Sequence, residues 1–372
     1  MSKLQEQIDK ARMQVNTDSY PMSIGELINL YDDGELDIHP EFQRVYRWSD
    51  EQKSRLIESI LLGIPLPSIF VAQRKDGIWD VVDGLQRIST ILSFLGKLKD
   101  EDHKVQKPLV LQATKYLPDL QDKVWEDRHN PDKEIDIEIK RIFKREKIDI
   151  KIIKRESDND TKFELFQRLN TGGTKLSDQE VRNCMLLMHN RDAFFWLKEL
   201  SKDSSFQTTL PISDKQAEES YDTELALRFF IYRNSSDEIR KEHTDVAPYL
   251  NAEMIKLFDE KNNFDFDYEK DIFLKTFNIA QSALDDDAFK KYNHTKGKYE
   301  GAISLPVYEA ASFGLSKLIE SNELSEEQII ELFINKTKEL TKDQDYLRVM
   351  ESRTRPIDRM VEMSKIASRL FK

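Results

Sequence analysis

Residues 79–95, WDVVDGLQRISTILSFL, join an apolar strand, an Asp-Gly turn and an amphipathic helix with no spacer between them. Trp79, Val81 and Val82 favour a strand, while Ile88, Ile91, Leu92 and Leu95 recur at helical spacing and Gly96 stops the helix. A glycine between strand and helix lets the backbone turn tightly and leaves first-turn amides pointing outward. Those amides and the positive end of the helix dipole attract an anion, typically phosphate. Arg87, in that first turn, can add a bidentate and permanently charged contact. Asp83 is unfavourable beside a bare phosphate and sensible if magnesium lies between them. Plain turn chemistry fits the same residues, with Asp83 as a cap, Gly84 as the bend and Arg87 paired to a surface carboxylate.

Working outward, SIFVAQRKDGIWDVV reads as a hairpin, two β-rich runs around Lys75-Asp76-Gly77. Before it, WSDEQKSRLIESILLGIPLP is a helix opened by a Ser49–Gln52 capping box, with Leu56, Ile57, Ile60 and Leu61 on one face and Gly63 and Pro65 as its stop. MSIGELINLYDDGEL places Ile24, Leu27, Ile28 and Tyr31 at helical spacing. EIDIEIKRIFKREKIDIKII alternates apolar and charged residues on both sides of Lys144-Arg145, which predicts a strand pair with one wet face. From about residue 160 the chain turns helical, beginning with a helix opened by the capping box Ser177–Glu180, and no repeat of fixed period runs through it.

Composition narrows the class. A chain of 372 residues with 39% hydrophobic and 34% charged residues fits a folded, mostly helical protein. A net charge of -12 argues against a surface that clamps nucleic acid everywhere. Residues 138–155 nevertheless hold eight Lys or Arg against three Asp or Glu, and residues 345–372 hold seven against four. Each stretch reads either as a phosphate-tracking face or as a solvated charged side. The single cysteine, Cys184, shares a helix face with Val181, Met185 and Met188 and reads as a buried structural thiol. One cysteine allows no internal disulfide and suits a reducing cytoplasm. The first fifteen residues are charged and no run is apolar enough for a membrane span, so a cytoplasmic location is expected. The consecutive acids Asp285–Asp287 point around a turn and not at one metal.

Two further polar stretches bear on the corner. HPEFQRVYRW, residues 39–48, packs Gln43, Arg44 and Arg47 beside Phe42 and Trp48, a composition that stacks bases and holds phosphates, or an irregular strand stapled by Trp48. FQRLNTGGTKLSDQE, residues 166–180, sets Asn170 and Gly172-Gly173 between two helices, where glycine permits either a ligand or a second backbone to approach.

With FQRVYRW followed by LIESILLGIPLPSIFV, then DGLQRISTI, then LFQRLNTGGTKLSDQEVRN, the chain resembles the N-terminal domain of GmrSD-type modification-dependent restriction systems, a ParB/sulfiredoxin-like domain. The resemblance covers about residues 20–235 and implies a nucleotide pocket lined by Asp83, Gly84, Gln86 and Arg87, in which magnesium-assisted triphosphate hydrolysis is open beside plain binding. Gln43 and Arg44 match the family's early Gln-Arg pair, a second wall of that cavity or a sensor of modified DNA, and Asn170, Gly172 and Gly173 match its third motif. Where the family has Asp-Gly-Gln-Gln-Arg, Leu85 replaces the first glutamine and removes a polar contact, which bears on hydrolysis more than on binding. The HNH nuclease domain of the full restriction proteins is not expected here, because the six histidines lie far apart and none begins such a unit.

The expected fold is α+β: a small mixed β-sheet with helices over residues 1–158, then an all-helical domain over 159–372. The expected function is a nucleotide-binding regulator of an anti-phage restriction system, with triphosphate hydrolysis left open beside plain binding, working with a separate nuclease or other effector. In it Arg87 holds phosphate, Asp83 positions magnesium or the attacking water, Gln86 orients that water or a phosphate oxygen, and Arg44 closes the pocket. The competing expectation is a non-catalytic DNA-binding or protein-interaction module that grips a DNA phosphate with the same corner.

Overall fold

A computed structural model describes residues 2–5, 17–38, 48–100, 103–154, 177–235, 243–351 and 354–372. The chain forms two compact units, residues 1–176 and 177–372. The expected boundary at 158/159 lies outside the described residues.

The first unit is built on a five-stranded mixed sheet. In chain order it contains β1 (Thr17–Ser23), α1 (Ile24–Asp32), β2 (Leu36–Asp37), α2 (Asp50–Leu61), β3 (Ile69–Gln73), β4 (Trp79–Asp83), α3 (Leu85–Phe94), α4 (Ile137–Arg145) and β5 (Lys147–Ile153). The strand order is β1-β5-β3-β4-β2. β1 runs antiparallel to β5 and β3 antiparallel to β4, whereas β5 with β3 and β4 with β2 are parallel. The apolar faces read from the sequence are the ones buried: Ile24, Leu27, Ile28 and Tyr31 from α1, Leu56, Ile57 and Ile60 from α2, and Ile88, Ile91 and Leu92 from α3. They meet Ile69 and Val71 of β3 and Ile148 and Ile150 of β5 in one core. The Ser49–Gln52 capping box closes in both directions.

One segment departs from expectation. Residues 137–145 form helix α4, not the first strand of a pair, and only Lys147–Ile153 is a strand. The period-two pattern counted Ile137 as inward, yet Ile137 and Ile142 face solvent while Phe143 is fully buried. Phe143 packs against Phe94 and Trp125, each with ring centroids 5.6 Å away. One large aromatic buried in a well-shaped site outweighs a run of alternating isoleucines. Lys144 and Arg145 in the last turn also suit the negative end of the helix dipole.

The second unit is helical, with a short two-stranded ribbon added, β6 (Lys291–Asn293) against β7 (Lys298–Glu300). Its helices α5 (Asp178–His189), α9 (Tyr221–Asn234), α12 (Leu305–Ser321) and α15 (Pro356–Leu370) surround a buried ionic network. Glu224 accepts hydrogen bonds from Arg182 of α5 and from Arg228 of its own helix, and Arg228 also donates to Glu309 of α12. Burial opposes ionisation of Glu224, but the Arg228 and Arg182 guanidiniums prevail and hold its carboxyl below the usual glutamate range. A depressed acid stabilises the fold above its ordinary pKa and loses that contribution as pH falls through the folded-state value. Stability should therefore fall on acidification below about pH 4, and Glu224→Gln should flatten this acid limb in a series of urea melts across pH. An unchanged limb would remove Glu224 from the explanation.

Cys184 is half-buried, less enclosed than expected, although Val181 and Met185 beside it are buried. Asp286 and Asp287 pair with Lys290 at 2.8 and 2.9 Å, in keeping with a solvated acidic turn.

Candidate functional site

The strand β4, the glycine and the helix α3 form the expected corner. Gly84 is the N-cap of α3 with φ 97° and ψ 12°, a left-handed conformation that side-chain-bearing residues rarely adopt. No side chain caps the helix there, so the first-turn amides, which have no partner within the helix, are not capped as they are at Ser49. The helix advances from this end with Gln86 accepting from Thr90 Oγ1 at 2.7 Å through its backbone carbonyl.

Asp83, the last residue of β4, is half-exposed. Its Oδ2 accepts from Arg87 Nη2 at 3.0 Å, and among the described residues no hydrogen bond reaches its Oδ1. Arg87 is mostly buried, and its Nη1 donates to the carbonyl oxygens of Pro67 and Ser68, the latter at 3.2 Å. Burial lowers the guanidinium's pKa and the Asp83 carboxylate only partly offsets it, but an arginine so far above neutral stays charged. Its Nε–H and one N–H of Nη2 have no partner among the described residues.

Asp83, Gly84, Gln86 and Arg87 thus stand together at one corner. Leu85, the first residue of α3, packs against the core from a half-buried position. Gln43 and Arg44 lie outside the described residues, as do Asn170, Gly172 and Gly173. The Pro67 and Ser68 carbonyls were missed from the sequence. GIPLPS carried the signal, since two prolines in six residues make a loop that is rich in carbonyls and short of donors.

The opposite end of the hairpin is tied by Arg74, which binds Asp37 of β2 at 2.6 Å and Asp80 of β4 at 2.7 Å. That triad fixes β2 two residues before His39, where the Gln43-Arg44 stretch begins. The basic stretches spend part of their charge locally. Lys140 pairs with Glu134 and Lys154 with Asp18, while Arg369 pairs with Asp343 and Asp345.

Among the described residues no group of three His, Cys, Asp or Glu side chains could enclose a metal ion. The lone Asp83 carboxylate is compatible with magnesium, which binds through one or two carboxylates together with phosphate oxygens and water. Asp83 Oδ1 is the available oxygen at this corner. No helix among the described residues is long and apolar enough to cross a membrane.

Residues 24–187 match the model of a family described as the GmrSD restriction endonuclease, N-terminal domain. The matched stretch contains the whole corner and ends inside α5 of the second unit. No curated protein and no solved structure matches the chain.

Proposed function

Because residues 24–187 match the model of the GmrSD restriction endonuclease N-terminal domain, we propose that this chain is a restriction-system component that binds a nucleoside triphosphate at the Asp83–Arg87 corner. The observation that carries the reading is the uncapped α3 N-terminus behind left-handed Gly84, with one carboxylate and one guanidinium at its mouth. Dipole and amides supply an anion site, Arg87 adds fixed positive charge, and Asp83 accounts for a cation between protein and phosphate.

Bound magnesium would supply charge neutralisation of the phosphate oxygens. Asp83 would hold it through Oδ1 while Oδ2 stays on Arg87. Gln86, half-buried in the first turn of α3, orients the attacking water or a phosphate oxygen, and hydrolysis is a step beyond binding. Leu85 offers no polar side chain there, so slow turnover with firm binding is expected. Gln43, Arg44, Asn170, Gly172 and Gly173 complete the pocket in this reading, and the occupied state regulates a separate nuclease or other effector on DNA.

Asp83→Asn keeps the shape and removes the charge that magnesium needs. The magnesium-dependent part of nucleotide affinity should fall about tenfold or more, read by calorimetry with and without the metal. Equal affinity in wild type and variant would reject Asp83 as the metal-facing residue. Salt-sensitive DNA binding without any nucleotide binding would favour the non-catalytic DNA-binding module instead.

A further inference from the structure

The loop from Gly63 to Ser68 joins α2 to β3 and is exposed at Gly63, Ile64, Pro65 and Pro67. Only Leu66 of its apolar side chains packs against the core, so burial holds the loop weakly. Gly63 and Ile64 donate back to the Ile60 and Ser59 carbonyls of α2 at 3.1 and 2.9 Å, whereas Pro65 and Pro67 have no N–H to donate, which leaves carbonyls to attach the second half of the loop. Arg87 supplies that attachment: Nη1 bonds the Pro67 and Ser68 carbonyls while Nη2 bonds Asp83.

From this geometry we propose that Arg87 is a positioning residue, a latch that fixes the loop 63–68 and the Asp83 carboxylate against the N-terminus of α3. The proposal rests on the nucleotide reading for what the corner binds, but the latch itself is a property of the ligand-free chain. One planar guanidinium with donors in a fixed fork spans two carbonyls and a carboxylate at once. A lysine ammonium carries the same charge and cannot span them. The role expected of Arg87 from its motif, holding phosphate, is then secondary and falls to its two remaining donors.

The discriminating variant is therefore Arg87→Lys in the full chain. Hydrogen–deuterium exchange without ligand should show a peptide covering residues 62–70 exchanging at least tenfold faster than in wild type, with residues 88–95 of α3 unchanged. Affinity for inorganic triphosphate with magnesium should fall at least tenfold although the charge is kept. Exchange in 62–70 within twofold of wild type, or triphosphate affinity retained with lysine, would overturn the latch, the second result because it marks a plain charge contact. If Arg87→Lys does not fold, Arg87→Gln is read by the exchange of residues 62–70 alone, because it also removes the charge. Absence of triphosphate binding in wild type sinks the nucleotide reading alone, and the loop exchange still decides the latch.

Discussion

Arg228→Ala should destabilise the second unit by about 3–5 kcal/mol, the cost of removing one partner from a buried ion pair. Glu309 would be left with no exposed surface and only the more weakly acting Arg359 as a cation, since Arg228 Nη1 is its donor at 2.8 Å and its Oε2 already lacks one. Burial has already raised the Glu309 carboxyl above the usual range in spite of Arg228 and Arg359, so losing the Arg228 guanidinium removes the larger of the two opposing charges. Glu224 keeps Arg182 and suffers less. The double variant Arg228→Met with Glu309→Leu replaces both charges by apolar volume and should recover most of the loss. Chemical denaturation of the three chains is the check. A loss under about 1 kcal/mol in Arg228→Ala would mean that water reaches Glu309.

Gly84→Ala is the second large effect. A methyl group there would lie 2.8 Å from Ile69 Cγ1 and 3.3 Å from Arg87 Nη2, and φ is +97°. Left-handed strain and overpacking against a fully buried isoleucine together cost roughly 2–4 kcal/mol. Gly77 provides the control, with φ +94° and nothing within 4 Å of its added methyl, so Gly77→Ala should cost only about 1–2 kcal/mol. Equal losses at both positions would show that the strain alone matters and that the contact between Gly84, Ile69 and Arg87 is loose. Nucleotide binding should weaken in Gly84→Ala and stay intact in Gly77→Ala.

Much of the first unit was legible because its signals are local. A serine followed three residues later by glutamine or glutamate, at Ser49 and Ser177, gave both capping boxes, and the Asp-Gly corner gave the strand-to-helix turn. Legibility failed where contacts are long-range. Residues 137–145 share their alternation with a strand, and only packing of Phe143 against Phe94 and Trp125 decides for a helix. TELALRFFIYR reads as an apolar helix, and nothing local reveals that Arg228 inside it meets Glu309 eighty-one residues away. At the corner the sequence named Asp83, Gly84, Gln86 and Arg87. That Arg87 grips a loop twenty residues earlier is a property of the fold.

The Asp83–Arg87 corner is proposed to hold a nucleoside triphosphate. Thermal unfolding of the full chain with millimolar GTP, ATP or CTP and magnesium tests it most directly, since a ligand bound only by the folded state stabilises it by mass action. A rise in melting temperature with at least one nucleotide, lost in Arg87→Ala and Asp83→Ala, is the predicted result. No rise with any of the three, for protein shown to be folded, would contradict it.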